Sequence, residues 1–96
     1  MWIRSQSKKV LLNVNQVVIN NIKDESKYYI HGYSERGIDI LGVYSTEEKA
    51  LKVLYEIQDA IEDTGFYRID NIGHGTYAFS KGVLVYQMPQ DDDVIV

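Results

Sequence analysis

The sequence predicts an α+β fold: an antiparallel, meander-like β-sheet, one amphipathic helix packed on it, and a C-terminal β-hairpin. Three observations lead there. Residues 9–44 alternate apolar and polar side chains between short polar turns, the period of two that a half-buried strand requires. Residues 46–63 place apolar side chains at helical spacing behind a capping signal. Two strand-like runs near the end, "TYAF" and "VLVYQM", flank a three-residue loop containing glycine.

Taken in order, "KVLLNVN" sets Val10, Leu12 and Val14 against Leu11 and Asn13. "QVVIN" follows after a short polar break and is expected to pair with it. "KDES" is a polar turn, and "KYYIHGY" then puts Tyr28 and Ile30 on one face with Tyr29, His31 and Tyr33 on the other. "SERG" is a turn in which Gly37 is available for positive φ. In "IDILGVY", Gly42 marks a bulge or a close approach by the helix. The sheet thus spans residues 2–44.

The helix is the best-determined element. In "STEEKALKVLYEIQDAIEDTG" the Ser45 hydroxyl and the Glu48 carboxylate form a capping box, each satisfying a backbone amide of the first turn. Ala50, Leu54, Ile57 and Ile61 make one stripe, widened by Val53 and Ala60 on one side and Leu51 on the other. Lys52, Glu56, Asp59 and Asp63 face solvent, and Gly65 supplies the terminating residue. Glu62 and Asp63 sit at the negative end of the helix dipole, so packing on a sheet, not charge placement, stabilises this helix. "FYRIDNI" reads as a further strand and "GHG" as a loop.

Ninety-six residues suffice for one core. The expected organisation is a single domain over residues 1–90 with an acidic and apolar tail over residues 91–96. No apolar run approaches the roughly 18 residues of a membrane helix, and "MWIRSQSKKVLLNVN" lacks the pattern of a secretory leader. There is no cysteine, hence no disulfide and no thiolate metal site, and a cytoplasmic location is expected. Residues 1–44 hold six basic and four acidic side chains, whereas residues 45–96 hold four and ten. The bases form no concentrated stripe, so nucleic acid is not the expected partner.

Catalytic and ligand motifs are absent or lack their context. "GHGTYA" matches G-x-G-x-x-A, but a hairpin follows where dinucleotide binding needs a helix N-terminus. His31 and His74 fall on separate elements with no metal-ligand spacing. No nucleophile elbow is present, and the adjacent acids Glu47–Glu48 and Glu62–Asp63 point to different sides of the helix. Neither catalytic residues, nor a cofactor, nor a metal is expected, and the chain is read as not an enzyme. Asp91, Asp92 and Asp93 are consecutive, with no glycine or distal glutamate after them, which excludes a calcium loop of the usual kind. Pro89 ends the last strand or marks its edge, the aspartates then act as a solubilising spacer, and "VIV" is either a frayed end or a short β segment docking along a sheet edge.

Eight tyrosines are the most suggestive feature of the composition, because tyrosine is enriched at interfaces. Tyr29 and Tyr33 share a strand face, and Tyr55 points away from the helix stripe. Leu11, and the pair Leu41 and Val43, fall out of phase with the residues expected to face the helix. A second apolar face on so small a chain implies a homodimer. The candidate interface is therefore Leu11, Tyr29, Tyr33, Leu41, Val43 and Tyr55, with Val94, Ile95 and Val96 of the tail.

The opening "MWIRSQ", the centre "LGVYSTEEKALKVLYEIQ" and the close "YQMPQDDDV" together resemble a family of small uncharacterised proteins of Gram-positive bacteria and their phages or mobile elements. The resemblance implies a bacterial or phage cytoplasmic origin and transfers no site, since the family has no established activity. The expected function is a non-catalytic, homo-oligomeric interaction module, with an unidentified protein as a further partner and no membrane association. The alternative is a nucleic-acid-associated accessory protein using Lys8, Lys9, Lys23 and Lys27 with nearby tyrosines. An enzyme with a pocket around His31 and Tyr33 stands third.

Overall fold

The structure, a computed structural model, describes residues 1–22, 25–66 and 85–96, with the side chains of residues 63–66 left aside. The expected "FYRIDNI" strand beyond Phe66, the "GHG" loop, and the "TYAF" and "SKG" part of the C-terminal hairpin lie outside the described residues, as do Lys23 and Asp24.

The fold is α+β, with mostly antiparallel strands and a helix, but among the described residues the strands divide into two three-stranded sheets instead of one meander. In the first, β1 (Trp2–Arg4) is central. It pairs antiparallel with β2 (Leu11–Asn13), Ile3 opposite Leu12. On its other side it pairs parallel with β6 (Val85–Gln87), Ile3 opposite Tyr86. The second sheet is antiparallel, in the order β3 (Gln16–Asn21), β4 (Tyr28–Ser34), β5 (Gly37–Tyr44).

The expected pairing of residues 9–15 with residues 16–20 does not form. Only Val14 and Asn15 separate β2 from β3, and β-branched Val14 resists the positive φ that a two-residue hairpin demands. Val14 instead buries its side chain in the core while its amide donates to the Met1 carbonyl, and the Asn15 amide donates to that of Tyr33. The chain passes from one sheet to the other at this point.

The turn at residues 34–37 behaves as its sequence requires, with Gly37 at φ +133°. Further along β5, Ile30 lies opposite Gly42 but His31 lies opposite Ile40, which makes Leu41 the extra residue of a β-bulge. Gly42 does allow a close approach, though not by the helix: a Cβ there would lie 2.9 Å from the Tyr44 ring and 3.2 Å from Met88. Gly32 is equally constrained, since a Cβ would meet Leu41 at 2.8 Å and Val14 at 2.9 Å.

The helix, α1 (Glu47–Phe66), packs on β3, β4 and β5. Ala50, Val53 and Ile57 are buried, while Leu51 and Ile61 are exposed, so the inward stripe is centred nearer Val53 than the sequence suggested. Thr46, not Ser45, caps the first turn: its hydroxyl accepts the Lys49 amide at 3.1 Å. The helix also continues past Gly65 to Phe66. Its buried face meets Ile30, Leu41 and Tyr44 of the second sheet, Ile3 of the first, and Met88 and Val94 from the end of the chain in one core.

Residues 91–96 are neither a β segment nor a frayed spacer throughout. Asp91–Asp93 form a 3-10 turn with Asp92 and Asp93 exposed, Val94 is 5% exposed within the core, and Ile95 and Val96 return to the surface.

Candidate interaction face

Strand register decides which side chains share the outer face of the second sheet. Directly opposed residues on antiparallel strands point to the same side. The pairs Val18–His31 and Gln16–Tyr33 join β3 to β4, and Tyr29–Val43, His31–Ile40 and Tyr33–Ile38 join β4 to β5. Ile30 and Gly32, on the opposite side of β4, are buried. The helix covers that inner side, and no described element covers the outer one.

The outer face is therefore a band of Val18, Tyr29, His31, Tyr33, Ile38, Ile40 and Val43, edged by Gln16 and Asn20. None of these nine residues is an acid, a lysine or an arginine. Ile38 and Ile40 are 59% and 52% exposed. The Tyr29 and His31 rings stand 6.2 Å apart, centroid to centroid, at 30°. Asn20 Nδ2 lies 2.9 Å from His31 Nδ1 across the strands. The Tyr29 hydroxyl donates to Glu25 at 2.8 Å, and that carboxylate holds the phenol pKa above its ordinary value. Two orienting contacts thus pin the middle of an otherwise apolar surface.

Of the interface residues expected from sequence, the structure gathers Tyr29, Tyr33 and Val43 on this face. Leu41 is not at the surface at all: it is 1% exposed, because the bulge it forms turns it inward. Val94 is likewise a core residue. Leu11 is exposed on the first sheet, where it borders an open cleft of about 520 Å³ with Trp2, Arg36 and Asp39. Tyr55 is exposed on the helix, and Ile95 and Val96 at the chain end. These do not join the face. Ile38 and Ile40 were missed, although the signal was present: a turn at residues 34–37 fixes Ser34 opposite Gly37, and hence Tyr33 opposite Ile38.

The remaining candidates are dispersed. Lys8 and Lys9 sit between β1 and β2, Lys27 precedes β4, and Lys23 lies outside the described residues with His74. His31 and Tyr33 line neither the cleft beside Trp2 nor the groove beside the helix. Among the described residues no group of three or more histidines or carboxylates is placed to hold a metal ion. No helix among them is long and apolar enough to cross a membrane.

The three stretches "MWIRSQ", "LGVYSTEEKALKVLYEIQ" and "YQMPQDDDV" meet in a hydrogen-bonded clasp beside β5. Gln6 Oε1 accepts the Val43 amide at 3.0 Å, and Gln6 Nε2 donates to the carbonyls of Val43 and Pro89 at 3.2 Å each. Gln90 Nε2 returns to the Gln6 carbonyl at 2.8 Å. Asp91 accepts from the Ser45 amide at 2.8 Å and the Ser45 hydroxyl at 3.1 Å, and its carbonyl accepts from Lys49 at 2.9 Å. The Ser45 amide, first among these, lowers the Asp91 pKa. The Tyr44 and Tyr86 hydroxyls are pushed the other way, first by burial and then by the charges of Asp91 and Glu56 for Tyr44, and by Glu56 for Tyr86. The groups of this clasp bond to one another; it is a fastening.

No curated protein and no solved structure matches the chain. A family model, the domain of unknown function DUF7336, matches residues 19–82, which takes in the β4 and β5 part of the face, from Tyr29 to Val43, together with the helix; Gln16 and Val18 of β3 fall before it. That match spans two thirds of the chain, and the protein belongs to the DUF7336 family, for which no function is established.

Proposed function

We propose that this chain is a small non-catalytic interaction module that associates with a second copy of itself through its β3–β4–β5 sheet. The observation that carries the reading is the outer face: seven apolar or aromatic side chains side by side, without a lysine, arginine or carboxylate among them. Interface centres are depleted in charge and enriched in tyrosine and other aromatics, and contiguous apolar surface of this kind marks interaction sites. A surface without lysine or arginine is a poor match for a polyanion, and one with no carboxylate among its seven side chains can meet its own copy with little like-charge repulsion. The reading includes a cytoplasmic setting, supported by a chain that has no cysteine and relies on no disulfide. It also includes a bacterial or phage origin, supported by the resemblance of the two ends and the helix.

Light scattering across a concentration series tests it. A defined oligomer is expected, and a monomeric mass at every concentration overturns self-association.

A further inference from the structure

The reading above leaves open how two copies meet, and the edge of the same sheet supplies the answer. Among the described residues β3 is an edge strand, paired with β4 on one side and with no described strand on the other. Soluble sheets blunt such edges with shortness, charge, proline or a bulge. Two other described edges show these devices. β2 is three residues long. β5 is bulged at Leu41, and Gln6 occupies it, its amide on the Leu41 carbonyl at 2.7 Å and its side chain on both backbone groups of Val43. β3 has six residues, "QVVINN", with no charge, no proline and no bulge against β4.

A second observation lies on the inner side. An open groove of about 260 Å³ runs between β3 and the helix, lined by Met1, Val14, Val17, Leu54, Ile57 and Ile61. One more strand laid against β3 would carry the sheet on under the helix and bring its inward side chains to the mouth of that groove.

The sequence of β3 identifies this strand. A two-fold axis perpendicular to the sheet keeps outer faces together, so opposed residues must lie an even number of positions apart in the sequence. Centred on Val18, this sets Val18 against Val18, Val17 against Ile19, and Gln16 against Asn20. Apolar meets apolar, and amide meets amide. Centred on Ile19, it would set Val18 against Asn20 and Val17 against Asn21. We infer that two copies pair β3 to β3, antiparallel and centred on Val18, forming one six-stranded sheet. Both helices then lie on one side, and the two outer faces lie side by side on the other as one larger apolar surface, the contact between copies being made by the β3 strands. This inference rests on the self-association proposed above.

The chain has no cysteine, so introduced thiols report cleanly. Under glutathione oxidation of the full chain, Val18→Cys should form a disulfide-linked dimer. An equimolar mixture of Val17→Cys and Ile19→Cys should form a mixed dimer that neither forms alone. The two tests sample both hydrogen-bonding classes of antiparallel pair, one of which brings the Cα atoms to about 4.5 Å. Val18→Lys, which opposes two like charges, should raise the dimer dissociation constant at least about tenfold while circular dichroism shows the same fold. A wild-type dimer that gives neither cross-link and is insensitive to Val18→Lys overturns the edge pairing and leaves self-association standing. A wild-type monomer overturns both.

Discussion

The Tyr44 hydroxyl donates to the Pro89 carbonyl across a gap of 2.7 Å, tying the last residue of β5 to the only proline of the chain. Tyr44 is almost wholly buried, and burial raises its phenol pKa above the ordinary 10.0. The contribution of a proton held more tightly in the folded state is complete below that value and is lost as pH climbs past it. Stability should therefore fall above pH 10, by about 1.4 kcal/mol per pH unit from Tyr44 alone. Tyr44→Phe should be less stable at neutral pH, by about 1 kcal/mol for the lost hydrogen bond, yet decline less steeply in alkali. Urea titrations between pH 8 and about 11.5 check both; equal alkaline slopes for the two proteins would show that Tyr44 does not titrate as described.

Gln6 fills the role of a missing strand against Val43, accepting from its amide and donating to its carbonyl. Gln6→Ala leaves these backbone groups without partners and should cost about 1–3 kcal/mol. Gln6→Glu retains the acceptor but sets a carboxylate oxygen against the Val43 and Pro89 carbonyls, so it should be at least as damaging. Chemical denaturation of the two variants ranks them, and Gln6→Glu should not rescue.

Asp91 titrates in the opposite sense. Its pKa is lowered from 3.8, chiefly by the Ser45 amide, so its contribution is present above that value and is lost as pH falls below it. Asp91→Ala should lower the Tm by about 4 °C or more, the scale of a lost helix cap in a domain of this size. It should also show a smaller further loss on acidification than the native chain. Thermal melts at pH 7 and at about pH 2.5 measure the difference.

Val94 and Ile95 are neighbours with opposite environments, one in the core and one 75% exposed. Val94→Ala should destabilise by about 1–2.5 kcal/mol, whereas Ile95→Ala should stay within about 0.5 kcal/mol. Equal and small effects would mean that the chain end does not contribute to the core.

What was legible in the sequence was local. The helix could be placed because apolar spacing and a first-turn hydroxyl are read within a few residues. Even so, its cap moved from Ser45 to Thr46, since the Ser45 amide and hydroxyl are engaged by Asp91, far along the chain. Alternation in β4 placed Tyr29 and Tyr33 on one face, as observed. The same rule failed at Leu41, where a bulge shifts the phase by one residue and leaves almost no trace in composition. Partner choice was not legible either: residues 11–13 pair with Trp2–Arg4, and nothing in either short run names the other.

The parallel contact between β1 and β6 sets Ile3 beside Tyr86, and Val94 closes the same core. During synthesis, β1 is made before β3, β4, β5 and the helix, and its partner β6 follows all of them. The antiparallel β3–β4–β5 ribbon has only near neighbours to find and is free to form in the meantime. Its uncharged edge is then exposed to solvent before the clasp exists, a stage at which unpaired strand backbone invites non-native pairing.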